Sequence, residues 1–198
     1  MLYDRQKFYD AAKSRLETNI FYRSLALEAC MGEMYDYLNQ AGLFNPTEPA
    51  REDWTLAGLV HDIDYSGEFK EDHPHKTKEA LAKFDLEISD IVFRIVQCHA
   101  WRITQVEPKN KAEWTIFCAD SLTGLITAVA LILPSKKLAD VKLSSVTKRF
   151  LKEPKFAAGT RREEVSMCSR VDGLNLPLEK FIEICLTAMQ KISGEIGL

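Results

Sequence analysis

An all-α fold is predicted for this chain of 198 residues, on three observations. Apolar residues recur at three- and four-residue intervals through most of its segments. Those segments open on Ser, Thr, Asn, Asp or proline and close on glycine or proline. No stretch has the strict alternation or the hairpin turn chemistry of a sheet. Hydrophobic residues make up 46% and charged residues 28% of the chain, which suits one domain with a substantial core and gives no indication of disorder or repeats.

The first helix is predicted over residues 2–14, with Leu2, Phe8 and Ala11 or Ala12 at helical spacing. Thr18-Asn19 offers an N-cap to a longer helix over residues 20–40, which Gly42 closes and which turns Leu25, Ala29 and Tyr35 inward. Pro49 suits the first turn of a third helix. Trp54, Ala57, Val60 and His61 then follow at intervals of three, three and one, placing His61 on or beside the inward face. Ser66-Gly67 breaks the chain, and Asp72-His73-Pro74 starts a helix carrying His75, Lys78 and Glu79 to about residue 84. Ser89 caps the next, whose apolar positions 91, 92, 95 and 96 lead onto His99, four residues after Ile95 on the same stripe. Asn110 and Glu113 have capping-box spacing and open a helix that runs to residue 133 and stops at Pro134, with Asp120 in its apolar middle. A short segment over 141–151, a start signal at Thr160 to Glu163 leading toward Arg170, and a last helix over 177–192 complete the chain.

The net charge of -3 argues against a general nucleic-acid binder, but the charge is uneven. Residues 134–162 hold nine Lys or Arg against Asp140 and Glu153, a local +7 that leaves -10 for the remainder. This segment is either a solvated face or a surface that receives an anionic substrate. Five cysteines, at 30, 98, 118, 168 and 185, are odd in number, widely spaced and free of any Cys-x-x-Cys pair, and are expected to be reduced core residues. The N-terminus has no apolar leader, and the longest greasy run, residues 122–133, is 12 residues against the ~20 that span a bilayer. A soluble, cytoplasmic protein with no membrane partner is expected; oligomeric state is not legible.

The chemistry concentrates on His61-Asp62, at the end of the apolar run from Leu56, and on the other histidines. All four, at 61, 73, 75 and 99, lie within 39 consecutive residues. Burying an imidazole and a carboxylate is costly unless something pairs with them, and Asp120, inside an apolar helix beside the small Thr123 and Gly124, makes the same demand. A divalent cation is one partner that would serve, since neutral imidazole and carboxylate bind zinc, manganese, iron or magnesium and bundled helices can converge them. Taken singly each residue has a plainer role as a cap or a hydrogen-bonded core group, and His73, beside Asp72 in a proline turn, is left in that class.

His61-Asp62 with His75, His99 and Asp120 resembles the HD-domain superfamily of metal-dependent phosphohydrolases. The resemblance extends to the run from Ala119 through Ile126, to Pro134-Ser135-Lys136-Lys137 and to Lys148-Arg149-Phe150, which look like a prokaryotic single-domain branch of that superfamily, over residues 18–192 in all. It implies a helical bundle with a site for one or two divalent ions (Mn, Fe, Zn, Ni, Co or Mg), hydrolysis of a small phosphorylated compound of nucleotide type, and no nucleic-acid polymer as partner. His61, Asp62, His75, His99 and Asp120 are then the metal ligands, Asp62 and Asp64 the catalytic carboxylates, and Arg23, Arg102, Lys136 and Lys137 the candidates for binding substrate phosphate. Asp64 has the alternative of a turn residue before Ser66-Gly67, and the two lysines and Arg102 that of solvent exposure. One departure is clear: Arg23 stands where the family pattern has its first histidine ligand, and arginine has no lone pair to offer. Either the remaining residues still hold a metal, or Arg23 pairs with Asp62 or Asp120 and fills the site, leaving a catalytically degenerate protein that binds a nucleotide or a protein partner, or Arg23 has become a phosphate clamp.

Overall fold

The computed structural model describes residues 3–44 and 47–198, and every regular element among them is helical. In chain order these are α1 (Arg5–Arg15), α2 (Thr18–Gln40), α3 (Arg51–Val60), α4 (Thr77–Ala82), α5 (Asp90–His99), α6 (Trp101–Thr104), α7 (Lys111–Leu131), α8 (Leu143–Lys152), α9 (Arg162–Ser166) and α10 (Leu178–Lys191). Short 3₁₀ turns cover Gly67–Asp72, Leu138–Asp140 and Met167–Ser169. Leu2, expected in the first helix, lies outside the described residues.

The start signals act as side-chain caps where the chemistry is direct. Ser89 Oγ accepts from the Val92 amide at 3.2 Å and Asn110 Oδ1 from the Glu113 amide at 2.9 Å. Glu113 does not take the Asn110 backbone amide as in a full capping box; its carboxylate accepts from the Lys109 amide and from Asn110 Nδ2. Thr18 and Asn19 do not cap, because α2 begins at Thr18 with Glu17 before it, although Gly42 follows its end at φ +66° as expected. The helix predicted from residue 72 is the largest revision: a 3₁₀ turn ends at Asp72, residues 73–76 with a cis His73–Pro74 bond are not helical, and only Thr77–Ala82 is α-helical. In α5 the stripe is narrower than predicted, since Ile91 is exposed while Val92, Ile95 and Val96 are buried.

The core sits where α2 and α7 cross. α2 packs on α3, α7 and α10, and α5 lies against α3 and α7. The α2–α3 approach depends on Gly58: a Cβ there would meet the Glu28 Cα and N at 2.8 Å, so only glycine lets the two backbones come this close. α7 has the length and composition of a membrane span, but 78% of its most apolar window is buried within this bundle, which makes it the central helix of the core. All five cysteines are buried and unbridged, as their apolar neighbours predict.

Candidate metal centre

Four elements meet at one point. α3 delivers His61 and Asp62 at its C-terminus, α5 delivers His99 as its last residue, the turn after Gly67–Asp72 brings His73, and α7 presents Asp120 from its middle. His61, Asp62, His99 and Asp120 are each at most 4% exposed. The three rings are held in the same way, each with Nδ1 engaged. His61 Nδ1 donates to the Gly58 carbonyl at 2.8 Å, His99 Nδ1 to the Val96 carbonyl, and His73 Nδ1 pairs with Asp64 Oδ1 at 2.7 Å. Every Nε2 is thereby left free, and all three face Asp62: His61 at 3.1 Å from Oδ2, His73 at 3.5 Å and His99 at 3.8 Å from Oδ1.

Such an arrangement could hold an ion. Metal-binding histidines use one nitrogen on the ion and donate the other to a carbonyl or carboxylate, which fixes tautomer and ring orientation. Asp62, His73 and His99 form a group that could hold a metal ion, with ligand atoms all within 4.8 Å of one another. Two further atoms make the same point. His61 Nε2 and Asp62 Oδ2 are buried and have no hydrogen-bond partner among the described residues. With Nδ1 already donating, two lone pairs face each other across 3.1 Å, an arrangement stable only with a cation between them. A proton is the simplest one. Burial opposes charge on His61, but the Asp62 and Asp120 carboxylates outweigh it and raise the ring to about 10. His99, equally buried but beside the positive His61, is pushed down to about 4. Burial likewise disfavours both ionised aspartates, yet His61 beside Asp62 and Arg23 beside Asp120 hold them well below the usual carboxylate range.

Two guanidinium groups cover the open side of Asp120. Arg23 Nη2 donates to Oδ1 at 2.5 Å, and Arg161 Nη2 to Oδ2 at 2.7 Å. Arg23 Nη1 is 4.0 Å from Asp62, too far for a hydrogen bond, so the ring of three histidines is not closed by arginine. Arg161 is set by its neighbours, through its amide to Ser121 Oγ at 2.7 Å and Nε to Glu164 at 2.6 Å. Together with Tyr65, Arg102 and Ile103 these residues line a cleft of about 260 Å³ over the cluster.

The structure brings together Arg23, His61, Asp62, His99 and Asp120, and places Arg102 on the rim, lying over the Trp101 ring. It corrects three expectations. His75 is exposed and outside the cluster; the turn that replaces the predicted helix sends His73 into that place. Asp64 touches no open position of the cleft, since its oxygens are taken by His73 and by the Lys76 amide at 2.8 Å, and it holds a ring in place. Lys136 and Lys137 are exposed and far off, because the helix that carries Asp120 runs eleven more residues, about 16 Å, before the chain reaches them. The basic segment contributes Arg161 in their stead. Nothing in the local periodicity singles out Arg161, which stands in an irregular stretch before α9; its place in the +7 segment is the one signal that points to it. Comparison with protein-family models, with curated proteins and with solved structures gives no match to this chain.

Proposed function

We propose that this protein is a metal-dependent phosphoric ester hydrolase acting on a small phosphorylated compound of nucleotide type, and that its kinship is with the HD-domain superfamily. The observation that carries the reading is the convergence of three Nδ1-anchored imidazoles on one buried carboxylate, with His61 Nε2 and Asp62 Oδ2 unpartnered. Asp62, His73 and His99 are the ligands of a first ion, with His61 and Asp120 adjoining it; the imidazole-rich set favours a transition ion over magnesium. Bound there, such an ion supplies an activated water near neutral pH and electrophilic assistance at a phosphoryl oxygen.

The chain's own groups supply the rest. Arg23 and Arg161 each rest one guanidinium N–H on Asp120 at the mouth of the cleft. A guanidinium fork fits phosphate as well as carboxylate, so an entering phosphate takes over these donors and releases Asp120 toward the cluster. Arg102 adds a third positive charge on the rim, and the ring of Tyr65, 5.0 Å from that of His73, walls one side. Asp64 keeps His73 turned so that Nε2 faces inward.

The second reading is a degenerate HD-type protein that binds a nucleotide or protein partner with Arg23 in the metal site, and the Arg23–Asp120 bond is what favours it. Metal analysis of protein purified without chelator, then hydrolysis of phosphate monoesters after adding manganese, cobalt or nickel, separates the two. Stoichiometric metal and turnover are expected; absence of both defeats the enzyme reading. Arg23→His sharpens the test by adding an imidazole and removing the competing cation. Metal occupancy is expected to rise, and if neither metal nor activity does, the assignment of Arg23 to the first ligand position fails.

A further inference from the structure

Three hollows lie in a row along α7. On the other side of Arg23 and Arg161 from the cleft over the histidines lies a second hollow of about 300 Å³, lined by Ser121, Gly124 and the loop from Ala157 to Thr160. Arg23 and Gly124 also line a third, of about 460 Å³, with mainly apolar walls that include Ile20, Tyr22, Thr127 and Leu131. Arg23 borders all three hollows, Arg161 the first two and Gly124 the last two, so they adjoin along α7 as a groove with a cationic end and an apolar end, interrupted only by side chains.

We propose that this groove binds the alcohol part of a phosphate ester, with the phosphate against Arg23 and Arg161 and an extended apolar far end against Tyr22 and Leu131. The proposal rests on the phosphohydrolase reading of the metal cleft and adds the substrate class.

Gly124 is the first support. A glycine inside a helix is less stable than alanine, and a Cβ at this position would meet nothing within 4 Å. Gly58 is required by a neighbouring backbone; no neighbour in the fold requires Gly124. What its missing side chain leaves is open floor where the second and third hollows join. Leu131 is the second support: it is 50% exposed at the far end of the groove, while Leu122, Leu125 and Ile126 of the same helix are fully buried. The third is length and order. Asp120, Gly124, Thr127 and Leu131 follow at intervals of four, three and four, a single stripe of α7. The eleven steps from Asp120 to Leu131 rise about 16 Å, so an ester with its phosphate at Asp120 reaches Leu131 only through an alcohol part on the order of 10 Å or more. Glycerol-sized alcohols fall short, whereas a nucleoside or a medium-length hydrocarbon chain spans the polar middle and ends on apolar walls.

Non-hydrolysable n-alkylphosphonates from ethyl to decyl, titrated calorimetrically into the manganese-loaded protein, test this directly. Affinity is expected to rise with chain length by up to about fourfold per methylene once the chain passes Gly124. A parallel series ending in a phenyl ring reads the far end: a gain confined to that series assigns an aromatic group, and a gain in both an unspecific apolar one. Gly124→Leu is expected to abolish the length dependence without lowering the melting temperature. Leu131→Ser, at an exposed position, should reduce the gain of the longest members alone and serves if the first variant folds poorly. Affinity that is flat with length in the unmodified protein, or a slope that survives Gly124→Leu and Leu131→Ser alike, overturns the proposal. Hydrolysis of the matching alkyl phosphates is scored separately, so absence of turnover with an intact slope defeats the enzyme reading and leaves the groove standing.

Discussion

α2 borders two buried carboxylate sites of similar size and opposite character. Beside Glu28 lies a hollow of about 250 Å³, against about 260 Å³ over the histidine cluster. Each site pairs a carboxylate with arginine. Glu28 is complete: Arg5 Nε and Nη2 reach its two oxygens at 2.5 and 2.8 Å, and Arg51 nearby is held by Asp36. Around Asp62 the accounts stay open: His61 Nε2 and Asp62 Oδ2 face each other at 3.1 Å, and neither has a hydrogen-bond partner among the described residues. Volume does not separate a binding site from a structural ion pair in this fold; the inventory of donors and acceptors does. The first site is finished by the chain, whereas the second is closed by a proton on His61 or could be closed by a metal ion.

That contrast breaks in a definite order. Asp62→Ala removes the carboxylate on which three rings converge, and metal affinity is expected to fall more than ~100-fold, beyond the loss that follows removal of an orienting partner; titration with manganese or zinc reads this, and Glu28→Ala in the same titration should not move it. Asp64→Asn leaves all the inward-facing nitrogens in place but weakens the hold on His73, for which a loss of about 10–100-fold in metal affinity is expected. Full retention would mean that His73 needs no anchor. Gly58→Ala tests the scaffold shared by both sites, since it forces α3 away from the Glu28 backbone. Denaturant unfolding should show about 1–3 kcal/mol of destabilisation, together with weaker metal binding because His61 moves with α3. Smallest is Glu28→Gln, expected to cost about 1 kcal/mol or less because Arg5 is half exposed and the pair is screened, with metal affinity unchanged. A Glu28 variant that loses metal would show that the two sites are not separate.

How much of this can be read from the chain depends on where each residue stands. His61, His99 and Asp120 lie on helices, where apolar spacing reports which face turns inward, and their burial follows from that spacing. His73 and Arg161 stand in a turn and in a loop, where no period exists, and only tertiary packing brings them in. The resemblance assigns His75 to the cluster and leaves His73 as a residue of a proline turn, whereas the non-helical stretch after the 3₁₀ turn Gly67–Asp72 sets His73 beside Asp62 and leaves His75 exposed. Lys136 and Lys137 were near Asp120 in sequence and basic, but helix rise carries them away. The all-α class and the reduced cysteines needed only composition and pattern. The groove along α7 was hidden, because a hollow is made by residues that are absent, and Gly124 looks in sequence like any small neighbour of Asp120.

The anchoring of the three rings has a thermodynamic consequence. Immobilising a side chain on association usually costs ~0.5–1.5 kcal/mol of entropy for each one ordered. Here Gly58, Val96 and Asp64 have already stopped the rings of His61, His99 and His73 in the folded chain. Ion capture therefore has little left to order, and its heat signature should be that of an entropy-favoured process in which water released from the ion outweighs any stiffening of the protein.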